Sequence, residues 1–169
     1  MLGKLKRIIR HRSLDESDVQ RAVPPDLLER LTRRVAASER RHTGEIRIYV
    51  EAGLPTSYLW RNATARERAV ALFGKLGVWD TEANNGVLIY LLLAEHAIEI
   101  VADRGIARHV TPEDWQAVVA HMGALFREGR FEDGLTQALK EVSALLVQRF
   151  PRDSGEADAN ELPDQPVLG

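Results

Sequence analysis

A chain of 169 residues, 44% of them hydrophobic, can bury one sizeable core, so a single domain with tails is expected. Its formal net charge of −2 gives no reason to expect nucleic-acid binding, which needs clustered basic charge facing phosphates. The absence of cysteine excludes disulfides, thiolate metal sites and cysteine nucleophiles, and fits a reducing compartment.

The first segment, MLGKLKRIIRHR, carries Lys4, Lys6, Arg7, Arg10 and Arg12 and no acid. Leu2, Leu5, Ile8 and Ile9 fall at helical spacing, which predicts an amphipathic helix within a basic segment 1–22. Two readings stand for its stripe: docking on the domain, which is preferred, or contact of residues 1–12 with an anionic membrane surface. The segment lacks the uninterrupted apolar stretch of a signal peptide. The longest apolar run, Val87 to Ala94, is too short to span a bilayer, so a cytoplasmic location is expected.

The domain proper is expected over residues 23–151. Prolines at 24 and 25 open a helix that runs to about Arg41 and places Leu27, Leu28, Leu31 and Val35 on one face. TGEIRIYVEA alternates, with Ile46, Ile48 and Val50 on one side, and reads as a strand with one face in the core. After GLPTSY, the residues Ala69, Val70, Leu72, Phe73 and Leu76 mark a second helix ending near Gly77.

Val87 to Leu93 shows no alternation and suits a central strand covered on both faces. AEHA leaves room only for a tight turn, so Ile98–Ala102 should return antiparallel, while the helical crossover makes the first and central strands parallel. Thr111-Pro112-Glu113-Asp114 caps a helix with the stripe Trp115, Val118, Met122 and Phe126, ended by Gly129. A last helix buries Leu135, Leu139, Val142 and Leu146. These elements make an α/β/α sandwich: a small mixed sheet of three to four strands with helices on both faces. The tail 152–169, with Asp153, Glu156, Asp158, Glu161, Asp164 and two prolines, is expected to be disordered.

This topology brings distant polar residues to one rim of the sheet. Asn84, Asn85 and Gly86 should lie beside Asp103, Arg104 and Gly105, with His42 and Glu45 at the same edge. Such an oxygen-rich cluster suits a hard cation, calcium or magnesium. Asp80, Glu82 and Asn84 follow the alternate spacing of a calcium loop, yet Asn85 stands where such a loop needs glycine and Leu91 where it needs glutamate. Asn-Asn-Gly is also an efficient turn, so a ligand site and a structural turn both stand. No Gly-x-Ser-x-Gly elbow, phosphate-binding glycine loop or His-Glu-x-x-His pair occurs, and the five histidines show no metal-ligand spacing.

SERRHTGEIRIYVE, NNGVLIYLLLAEHAIEIVADRGI and FREGRFEDGLTQALKEV together resemble the TPM-domain family, over roughly Leu27 to Phe150. The resemblance implies an α/β/α sandwich, calcium binding as in some members, and the acid phosphatase activity ascribed to a plant member. Two departures stand out: neither a signal peptide nor a transmembrane helix is expected from these residues, and Asp103-Arg104-Gly105-Ile106 replaces a Gly-Tyr-Gly segment, bringing a cation to the rim. The expected function is a non-catalytic binding or accessory module for a protein partner, cytoplasmic and peripheral to the membrane, with Asn84, Asn85, Arg104 and His42 as ligand-binding residues. The alternative is a metal-dependent phosphatase acting on phosphomonoesters, in which Asp80, Asp103 and Glu45 hold calcium or magnesium and Arg104 binds phosphate.

Overall fold

In the computed structural model, which describes residues 2–155 and 160–169, the chain runs through α1 (Leu2–Arg12), α2 (Glu16–Ala22), α3 (Pro25–Glu39), β1 (Glu45–Glu51), α4 (Thr56–Trp60), α5 (Ala65–Lys75), β2 (Gly86–Leu92), β3 (Ala97–Ala102), α6 (Arg104–Ala107), α7 (Pro112–Arg127), α8 (Phe131–Arg149) and β4 (Val167–Leu168). The sheet is mixed, in the order β3-β2-β1-β4. β1 runs parallel to β2 and to β4, while β3 returns antiparallel to β2.

Every residue of β2 is buried, because helices cover both of its faces. Leu88, Tyr90 and Leu92 pack with Leu59 of α4 and with Ala69 and Leu72 of α5. On the opposite face, Val87, Ile89 and Leu91 join Ile46, Ile48 and Val50 of β1 against Leu31 of α3, Met122 and Phe126 of α7 and Val142 of α8. Each such side chain contributes about 1.5–3 kcal/mol when fully buried. The α/β/α sandwich follows from this two-sided burial. The turn into β3 is a 3-10 segment, Leu93–Glu95, closed by His96 in the left-handed region at φ 48°. α7 begins on the reciprocal cap of Thr111 and Asp114.

The tail departs from expectation. Residues 160–169 are ordered against the domain, whereas Glu156 and Asp158 lie outside the described residues. β4 pairs with β1 through Tyr49↔Val167 and Val50↔Leu168. Gly169 N–H donates to Val50 O, and Ala52 N–H donates to Gly169 O. The physical reason is the outer edge of β1, whose backbone groups need partners, and backbone pairing requires little of the tail's side chains.

The first helix also departs, in orientation. It docks through its polar side. Arg7 Nε donates to Glu95 Oε1 at 2.7 Å, and its guanidinium also reaches Asn62 Oδ1 and Ala63 O. His11, 3% exposed, places Nε2 2.9 Å from Glu95 Oε1 and accepts from Leu54 N–H at Nδ1. Lys4 Nζ donates to Trp60 O at 2.7 Å. Ile8 alone of the stripe packs inward, against the α4–α5 side of the core. Leu2, Leu5 and Ile9 face away, 76%, 57% and 57% exposed. α2 follows and sends Val19 into the core, so residues 2–22 pack on the domain.

Candidate functional site

The register of the sheet puts the starts of β1 and β2 beside the end of β3, with Glu45 opposite Gly86 and Val87 opposite Ala102. Asn84, in the left-handed region at φ 52°, turns the chain into β2. Its side-chain oxygen accepts from Arg104 Nη2 at 3.2 Å, and its backbone oxygen accepts from Gly105 N–H at 2.8 Å. Asn85 O accepts from Glu45 N–H at 3.0 Å, and Asn85 Nδ2 donates to Thr43 O. Asp103 N–H closes on Gly86 O at 2.9 Å, while its carboxylate caps α6 by accepting Arg104 N–H at 2.6 Å. Two glycines allow this closeness. A Cβ on Gly86 would lie 2.0 Å from Val78 O, and one on Gly105 would lie 2.5 Å from Asn84 O.

The rim is thus assembled, and its polar groups largely hold it to itself. The tail completes the closure: Leu162 N–H donates to Glu45 Oε2 at 3.1 Å, and Glu82 N–H donates to Glu161 Oε2 at 2.9 Å. His42 is at the edge in sequence but fully buried in space. Its Nε2 lies 2.7 Å from Ser38 Oγ, which lies 2.5 Å from Ser143 Oγ, so Ser38 at the end of α3 links the imidazole to α8. Behind it, Glu39 accepts Ile46 N–H at 2.7 Å. Burial pushes the Glu39 carboxyl up to about 9, helped by the nearby charges of Glu45 and Asp164 and opposed by the Ile46 hydrogen bond.

The carboxylates named for calcium or magnesium are dispersed. Among the described residues no three of histidine, aspartate and glutamate are grouped closely enough to hold a metal, and so Asp80, Asp103 and Glu45 form no such set. Asp80 is exposed, its N–H spent on a turn to Gly77 O. Two buried acceptors remain over, Asn85 Oδ1 and Asp103 Oδ2, and the Arg104 guanidinium stands at the adjoining Asn84 oxygen.

A different concavity lies along β3, the edge strand. The Asp103–Gly86 hydrogen bond fixes the ladder so that Ala97, Glu99 and Val101 exchange bonds with β2, while Ile98, Ile100 and Ala102 turn their backbone groups outward. Arg66 Nη1 of α5 already donates to Ile100 O. Beside this edge is a cavity of about 450 Å³, walled by Ile100 and Ala102 on one side and by Trp115, Gln116 and Val119 of α7 on the other. A second of about 360 Å³ continues along Ile98 and shares Val119, with Arg127 on its wall. This groove leaves little trace in the sequence, because it arises between an edge strand and a helix far apart in the chain. An alternating apolar strand without a further strand signal after it was the one available hint.

The family model described as the TPM domain matches residues 17–145. No curated protein sequence matches the chain. The solution structure of the BA42 protein from the psychrophilic bacterium Bizionia argentinensis is similar at a TM-score of 0.75 and 24% identity, over 87% of this chain and 95% of that one. The N-terminal domain of a protein from P. gingivalis is similar at 0.63 and 17% identity, over 77% and 82%. At these identities the two structures speak for the fold alone.

Proposed function

The chain belongs to the TPM-domain family, and on that premise we propose that it is a non-catalytic accessory module, cytoplasmic and peripheral to a membrane, that holds an extended segment of a partner protein. The observation that carries this reading is the apolar groove beside the outward-facing backbone of β3. An extended peptide laid there would add a strand to the sheet and seat alternate side chains against Trp115 and Val119. The rim supports the same division of labour, since its hydrogen bonds close the fold. Among the described residues no helix is long and apolar enough to cross a membrane, so attachment would be at a surface. A metal-dependent phosphatase would need Asp80, Asp103 and Glu45 on one ion, and their dispersal weighs against it.

Capture of the partner from cell extract tests the location. Val119 is only part-buried, so Val119→Arg should leave the fold intact, fill the groove and abolish capture. Asp103→Asn at the rim should leave capture unchanged. The opposite pattern would return the working surface to the rim.

A further inference from the structure

The outward face of α1 has an arrangement that docking on the domain does not account for. An amphipathic helix on a soluble protein ordinarily turns its apolar stripe inward. Here Lys4, Arg7 and His11 face the domain and are spent there, on Trp60 O, on Glu95 and on Leu54 N–H. Leu2, Leu5 and Ile9, at i, i+3 and i+7, point the other way. Trp60, 67% exposed, stands at the side of this helix, with Lys4 Nζ 5.6 Å from its ring centroid.

Cations flank the stripe on both sides. On a helical projection Lys6 and Arg10 fall along one margin and Arg12 along the other. All three are exposed, and none forms a side-chain ion pair among the described residues. An apolar stripe bordered by unspent cations, with an indole beside it, matches the layering of an anionic lipid surface: acyl chains, then the interfacial level where tryptophan sits, then phosphate. A second copy packed through the same stripe would cover the leucines but set these cations against their own kind, since α1 carries no acid.

We propose that the outer face of α1, with Trp60, binds the surface of an anionic bilayer, the helix lying in the plane of the headgroups. Leu2, Leu5 and Ile9 enter the acyl boundary while Lys6, Arg10 and Arg12 meet phosphate. The inward ion pairs to Glu95 fix the helix to the domain, so the membrane contact also sets which way the β3 groove faces. This names the surface for the peripheral module proposed above and rests on that reading.

The test is sedimentation of the full chain with vesicles of phosphatidylcholine alone and of phosphatidylcholine mixed with phosphatidylglycerol. Binding is expected only to the mixed vesicles, with a blue shift of tryptophan emission that Trp60→Phe removes. Leu5→Gln with Ile9→Gln should abolish it, and Lys6→Gln with Arg10→Gln should weaken it roughly tenfold or more. Circular dichroism of each variant should match the wild type. No binding to either vesicle, equal binding to both, or a lipid-free dimer that Leu5→Gln with Ile9→Gln dissolves would each overturn the assignment. Partner capture by the same variants separates the two proposals. Capture that persists while vesicle binding is absent sinks the lipid assignment and leaves the groove standing, and the converse sinks the groove.

Discussion

Arg68→Ala is expected to lower the unfolding free energy by about 3–5 kcal/mol, the range for removing one partner of a buried ion pair. Arg68 on α5 gives both Nε and Nη2 to Glu51 of β1, at 3.0 and 2.6 Å. The side chains are 12% and 7% exposed. Tyr90 of β2 adds its hydroxyl to Glu51 Oε2 at 2.7 Å, and the Tyr58 ring lies 5.1 Å from the guanidinium. Burial alone would lower the arginine pKa, but the hydrogen bonds and charge of Glu51 outweigh it and hold the cation above its ordinary value. Removing the guanidinium strands a carboxylate between two strands and a helix, with one phenol left to it. Denaturant unfolding reads the loss. Replacing both partners, Arg68→Met with Glu51→Met, should recover most of it, because the cost is the stranded charge. A loss below about 1 kcal/mol for Arg68→Ala would mean that the pair is not desolvated in solution.

The second large effect is on pH dependence. Glu39 is pushed up to about 9 from an ordinary 4.5, so the folded chain holds a proton that the unfolded chain releases between those values. Its contribution is fully present below the ordinary carboxylate range and is lost as pH rises towards about 9. By neutral pH the loss should amount to about 3 kcal/mol. Glu39→Gln keeps the neutral form at every pH and can still accept Ile46 N–H through its amide oxygen. The variant should match the wild type in mild acid and exceed it increasingly at neutral and alkaline pH. Unfolding midpoints measured across that range check this. A wild-type curve that rises with pH, or a glutamine variant with the wild-type slope, would contradict the buried neutral carboxyl.

The parts of the fold legible in the sequence were those set by local pattern. The unbroken run from Val87 suits a strand covered on both faces, and Thr111-Pro112 with Asp114 marks a helix start whose chemistry is complete within four residues. The neighbourhood of Asn84 and Arg104 was legible too, because a hairpin through His96 leaves their ends nowhere else to go. What escaped depends on partners distant in sequence. Val167 and Leu168 are two apolar residues among prolines and acids, and only the open edge of β1 makes a strand of them. The helical period of α1 was visible, yet Glu95, far along the chain, decides which side faces inward. His42 looked like a rim residue until Ser38 and Ser143 drew it into the interior.

On the function proposed above, the rim closes the fold and the chain acts by binding. Its most direct test is release of inorganic phosphate from a general phosphomonoester by the purified protein, with calcium, with magnesium and with chelator. The expected result is release no faster than buffer in all three, and the same for Asp103→Asn. Release that requires either metal, stops on chelation and disappears in Asp103→Asn would overturn that function and make the rim an active site.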